Sequence, residues 1–200
     1  MGSLIYQEVK QRKWLFAAAF FLFVIFYYAY GQKTEKMESL FMLFPLLATA
    51  TIFGAEEEIE YIIVGRIPLW QVMVVRFVTI YLSVTALPTV FILCTRQSYV
   101  MMKILLTFWV TILLMCAVGL FWRIVLKSAF TSLLFSSLTY SLFSVLGWRL
   151  TKPEWLCVFV PFGAISISDE YFYLNRLVIT LVTVLLLTVC GFALRKRQNV

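Results

Sequence analysis

Carboxylates are the first residues to weigh for chemistry, because the chain has ten of them and sets four together: Glu56, Glu57, Glu58 and Glu60 within GAEEEIEYIIVGR. Such a cluster can hold a metal, work as acid and base, or meet a basic partner surface, and each use needs different company. The first two uses commonly rely on imidazole, and the chain contains no histidine. Metalloproteases of the HExxH type, serine–histidine proteases and histidine-ligated haem carriers are therefore excluded. A prenyl-protease-like use of Glu57 and Glu58 fails for the same reason, since that chemistry relies on distant histidines. Asp169 and Glu170 are adjacent, but beside an aromatic-rich loop they read as an external polar cap. Cys94, Cys116, Cys157 and Cys190 show no CxxC spacing and read as small buried thiols. No GxxxxGK[ST] loop is present to cradle a nucleotide. The expectation is a chain with no catalytic residue, no metal and no cofactor of its own.

Two further sets of polar residues stand out. Ser132, Ser136, Ser137, Ser141 and Ser144 lie close together, with Ser132/Ser136 and Ser137/Ser141 spaced four apart. Small hydroxyl residues at that spacing let membrane helices approach and hydrogen-bond across the contact, so they are candidates for a subunit interface or a polar wall along a path. Packing within the subunit is the other reading of the same stripe. Arg76 sits about six residues into an apolar run and is expected to snorkel to the headgroups, a substrate-contacting charge being the other reading.

These residues have to be positioned by apolar elements. The chain is 62% hydrophobic, only 14% charged, and has a mean hydropathy of +0.94, against about 25% charged residues in soluble domains. It reads as one all-α integral membrane domain covering residues 1–200. A crossing helix needs about 20 apolar residues, and six candidates follow at about 14–30, 39–55, 70–94, 104–122, 129–148 and 177–194. Residues 1–13 read as a short interfacial helix, with Leu4, Ile5 and Val9 opposite the charges. The first span ends in YYAYGQ, without a cleavage pattern, and reads as a retained anchor. The second and third spans contain Pro45 and Pro88. The apolar part of 155–165 is short and broken by Pro161 and Gly163, so it reads as re-entrant elements, with an external loop as the other reading, and Arg176 opens the last span.

Six spans put both termini on one side, and both are basic: Lys10, Arg12 and Lys13, then Arg195, Lys196 and Arg197. The cytoplasm of a cell membrane is their expected side, with ten basic residues inside and seven outside. The net charge of +7 is spread over the ends of apolar segments, which suits lipid headgroups and not nucleic acid. On this topology the glutamates lie in the cytoplasmic link between spans two and three. They occupy the first turn of a helix-compatible segment, where the helix dipole favours carboxylates, and Tyr61, Ile62, Ile63 and Val64 follow. A helix with an acidic start and an apolar remainder is suited to a groove on another protein.

The segment EEEIEYIIVGRIPLWQVMVVRF at 56–77 resembles the membrane permeases of ATP-binding-cassette exporters of the six-span type-2 group, which share its order of acidic residues, short helix, proline-containing turn and third span. The basic lead-in and the short elements before the last span are similar too. The chain departs from the family pattern in lacking a glycine soon after the first acidic residues and in its small external region. The resemblance implies that the link is a coupling helix on which a separate ATPase docks through Glu56, Glu57, Glu58, Glu60, Tyr61 and Arg66. It implies two permease subunits, a homodimer or a pair with a sister chain, and two ATPase subunits that hold ATP and magnesium. The serines of span five would then line the dimer contact or the central path. The expected function is an ATP-driven exporter subunit for an amphipathic peptide, lipid-like compound or drug. The alternatives are a non-transporting immunity or assembly protein and a secondary transporter, the latter disfavoured for want of a mid-membrane carboxylate.

Overall fold

The computed structural model describes residues 10, 13–30, 41–52, 69–95, 98–126, 128–149, 154–162 and 169–198. Among these the chain is helical, without strands: α1 (Lys13–Tyr30), α2 (Leu43–Ile52), α3 (Leu69–Thr95), α4 (Ser98–Leu126), α5 (Ala129–Arg149), a short 3₁₀ helix (Glu154–Phe159) and α6 (Asp169–Gln198). Among the described residues three helices are long and apolar enough to cross a membrane: Trp70–Cys94 in α3, Met101–Leu126 in α4 and Glu170–Lys196 in α6. At about 1.5 Å per residue, the 27 residues of α3 rise about 40 Å. The described part of the second segment, 41–52, rises only about 18 Å. The N-terminal interfacial helix lies outside the described residues, Lys10 apart, as do parts of the short elements expected over 155–165.

Helix α4 is the hub. It is 78% buried over its apolar window, against 44% for α3 and 22% for α6, and it packs against α2, α3, α5 and α6. Phe23 of α1 meets Phe41, just before α2, and Phe108 of α4 edge to face at 5.6 and 5.7 Å. In a bilayer such packing carries the stability, because apolar side chains gain no transfer energy by leaving lipid for protein. The tightest contact joins α2 to α4. A side chain on Gly119 would collide with the Thr49 hydroxyl and lie 2.6 Å from the Leu46 carbonyl oxygen, so only glycine fits there. Helix α3 runs through Pro88 unbroken; the missing donor is tolerated where neighbouring helices cover the freed carbonyl.

Pairs of contacts fix the relative directions. Phe41 lies against Phe108 and Thr49 against Gly119, so α2 runs parallel to α4. Lys103 lies 5.2 Å from the Phe172 ring, and Arg176 bonds Thr111, so α6 is parallel to α4 as well. Helices α3 and α5 run the opposite way: Trp109 bonds Thr89 and Trp122 bonds Thr139. The start of α3 thus meets the end of α6, with the Arg195 guanidinium 6.0 Å from the Trp70 ring. Helix α2 ends, and α3 begins, at this Trp70 end of the bundle.

Candidate functional site

The densest polar arrangement in the described interior is at the opposite end, where α4, α6 and the 3₁₀ helix converge. A short 3₁₀ helix leaves its last carbonyls without amide partners. Here Asn175 and Arg176 of α6, both buried, supply the missing donors. The Asn175 Nδ2 donates to the carbonyls of Cys157, Val158 and Val160 at 2.7, 3.0 and 2.9 Å. Two amide protons serve three acceptors, so at least one bond is shared. Its Oδ1 accepts from Arg176 Nε at 2.8 Å, which fixes the orientation of the amide: nitrogen toward carbonyls, oxygen toward the cation.

The guanidinium continues the network into α4. Its Nη1 donates to Thr111 Oγ1 at 2.9 Å and to the Thr107 carbonyl at 3.4 Å, while Nη2 donates to the Pro161 carbonyl at 3.2 Å. Phe172, one turn earlier on α6, lies 5.9 Å from the same guanidinium, within the range of a cation–π contact. Tyr140 of α5 closes over Phe162 at 5.7 Å. The Thr107 hydroxyl is buried and has no hydrogen-bond partner among the described residues. The arrangement clamps residues 157–161 against two helices. It offers fixed dipoles, one cation and, in the clamped segment, the buried Cys157.

Arg176 was expected to open the last span. Instead α6 begins at Asp169, seven residues earlier, and the arginine is 3% exposed inside it. Asp169 and Glu170 form the first residues of that helix, and Glu170 is exposed. Arg76 was expected to reach the headgroups, but it is 1% exposed and is among the largest fully buried side chains; the bundle encloses it too completely for snorkelling. Arg123, expected to bound the fourth span, is inside α4 and 5% exposed. Cys116, Cys157 and Cys190 are buried as expected, whereas Cys94 is exposed.

The serines of α5 divide between faces. Ser132 and Ser136 are fully buried within the chain, Ser137 and Ser144 are half-buried, and Ser141 is exposed. Ser132 donates to the Ser128 carbonyl at 2.7 Å and across to the Trp122 carbonyl of α4 at 3.3 Å, while Ser141 donates to the Ser137 carbonyl of its own helix at 2.9 Å. Ser136 has no partner among the described residues. Glu56, Glu57, Glu58, Glu60, Tyr61 and Arg66 lie outside the described residues. No group of three or more metal-ligating side chains occurs among the described residues.

Sequence reasoning missed Asn175, Thr107 and Thr111. The available signal is an Asn–Arg pair between two apolar runs, of which only Arg176 is expected at the start of the last span. Comparison with known protein families, curated proteins and solved structures finds no match.

Proposed function

We propose that the chain is the transmembrane subunit of an ATP-driven exporter, working with a second permease copy or sister chain and with a separate ATPase that holds ATP and magnesium. One observation carries the reading. Helices α2 and α3, which flank the acidic link, end and begin at the same end of the bundle as Arg195 and Lys196. A link presented at the basic end of a membrane bundle is presented toward the cytoplasm, where an ATPase would meet Glu56, Glu57, Glu58, Glu60, Tyr61 and Arg66.

A route for coupling follows from the packing. Displacement of α2 is passed to α4 through the Thr49–Gly119 contact, which leaves no slack. Eight residues further toward the other end, about 12 Å along the helix, α4 carries Thr111 of the clamp on 157–161. ATP-driven closure at one end thus acts on the held segment at the other, and the two states bind cargo differently, as alternating access requires. An amphipathic peptide, lipid-like compound or drug is the cargo class that suits the aromatic-rich chain.

Co-purification of a tagged chain from its native membrane tests the proposal. The wild type should bring down a nucleotide-binding protein, and Glu56→Lys, Glu57→Lys, Glu58→Lys and Glu60→Lys together should abolish this while membrane insertion stays intact. Equal recovery of the ATPase by the quadruple variant would remove the docking role. A wild type that retains no ATPase would favour the non-transporting alternative.

A further inference from the structure

We propose that the Trp70 end of α6 is a binding site for a single anionic phospholipid. Leu181, Leu185, Thr188, Phe192, Arg195 and Lys196 are all exposed, and at 100° per residue they fall within one arc of about 100° on the helix. The stripe is apolar along its length, with one hydroxyl, and cationic only at its end. The Thr188 hydroxyl turns inward to its own helix, donating to the Val184 carbonyl at 2.7 Å, so it does not interrupt the apolar surface. From Leu185 to Arg195 the helix rises about 15 Å, the depth of one hydrocarbon leaflet. Acyl chains lying on Leu185 and Phe192 therefore bring a phosphate level with Arg195 and Lys196.

The headgroup end is built from two helices. The Arg195 guanidinium is 6.0 Å from the half-buried indole of Trp70 on α3. That contact holds the guanidinium beside the ring, where its forked donors can meet a phosphate in two-point fashion. Tryptophan is also the side chain that favours the headgroup level. Lys196, one residue on, adds a second exposed charge. Charge complementarity selects the occupant: two cations closing an exposed apolar stripe match an acidic headgroup on a diacyl tail, and a zwitterionic headgroup would bring its own cation against them. Two juxtamembrane basic residues favour an anionic over a zwitterionic lipid by roughly 30-fold.

The test uses the full chain in detergent micelles, titrated with phosphatidylglycerol or phosphatidylcholine, with bound lipid counted by native mass spectrometry. The wild type should retain one phosphatidylglycerol with roughly 30-fold preference, and inorganic phosphate should not displace it. Arg195→Gln with Lys196→Gln should reduce the preference to a few-fold, and Arg195→Lys with Lys196→Arg should preserve most of it. The exposed Lys10→Gln with Lys13→Gln serves as the charge-matched comparison and should leave it unchanged. Equal retention of the two lipids by the wild type, an unaltered preference in the Arg195/Lys196 variant, or an equal loss in the Lys10/Lys13 variant would each overturn the site. This outcome is independent of whether an ATPase docks.

Discussion

Replacing Asn175 with leucine removes the donor that holds residues 157–160 while nearly keeping side-chain volume. The amide serves three carbonyls with two protons, so two bonds' worth of donation is lost. A buried acceptor left unsatisfied costs about 1–3 kcal/mol, or about 2–6 kcal/mol for two. Measured side-chain bonds between membrane helices average only about 0.6 kcal/mol, which favours the lower part of that range. The variant also strips an acceptor from Arg176 Nε, and hydrogen bonds to charged groups are worth about 1.5–3 kcal/mol. The lost carbonyl bonds alone set an expected loss of about 2–4 kcal/mol, felt first as opening of the segment, and the lost Arg176 bond adds to it. The Val160 amide, bonded to the Cys157 carbonyl at 3.2 Å, should then exchange with solvent deuterium roughly 30- to 700-fold faster, at tenfold per 1.4 kcal/mol. Amide exchange of the full chain in micelles reads this directly. Asn175→Asp separates the two halves of the network: it improves pairing with Arg176 but faces three carbonyls with an acceptor, and should open the segment as much as leucine does. Exchange at Val160 less than about threefold faster in Asn175→Leu, or protected in Asn175→Asp, would refute the clamp.

Other expectations follow from the packing and are checked by unfolding the chain in mixed micelles. Gly119→Ala should destabilise by about 1–3 kcal/mol through overpacking against Thr49 and Leu46. Gly191→Ala, where an added Cβ meets nothing within 4 Å, should instead stabilise by up to about 1 kcal/mol through helix propensity. Ser132→Ala should cost about 1 kcal/mol because it deletes a bond to the Ser128 carbonyl. Ser136→Ala removes a buried hydroxyl without a partner among the described residues and should be neutral or stabilising; a fall in cargo export without loss of stability would assign that hydroxyl to the path.

The apolar elements were legible where their ends coincide with composition. The apolar segments 14–30, 70–94 and 129–148 coincide with helices α1, α3 and α5 to within about a residue, and of these α3 is long and apolar enough to cross a membrane. Helices α4 and α6 extend well past the spans read for them, because Lys103, Arg123 and Arg176 were taken as edges. That rule assumes a charge ends a helix by meeting headgroups. Lys103 lies instead beside the Phe172 ring, and Arg176 is met by carbonyls and a threonine. The true start of α6 was signalled by Asp169 and Glu170, acids at a helix N-terminus. The clamp itself could not be read from spacing, since Thr111 and Arg176 are 65 residues apart and only the parallel pairing of α4 with α6 brings them together.

That parallel pairing also orders the birth of the fold. Every acceptor of the clamp, in α4 and in 157–161, is synthesised before its donors, Asn175 and Arg176. The donors emerge on α6, whose 22 residues after Arg176 must clear the ribosome before the helix can seat. Until then Arg176 faces lipid or the insertion channel, at about 2.5–3.5 kcal/mol on insertion scales. The long apolar stretch behind it offsets that cost. The earlier helices therefore wait as an unlatched assembly, and the seating of α6 closes the latch.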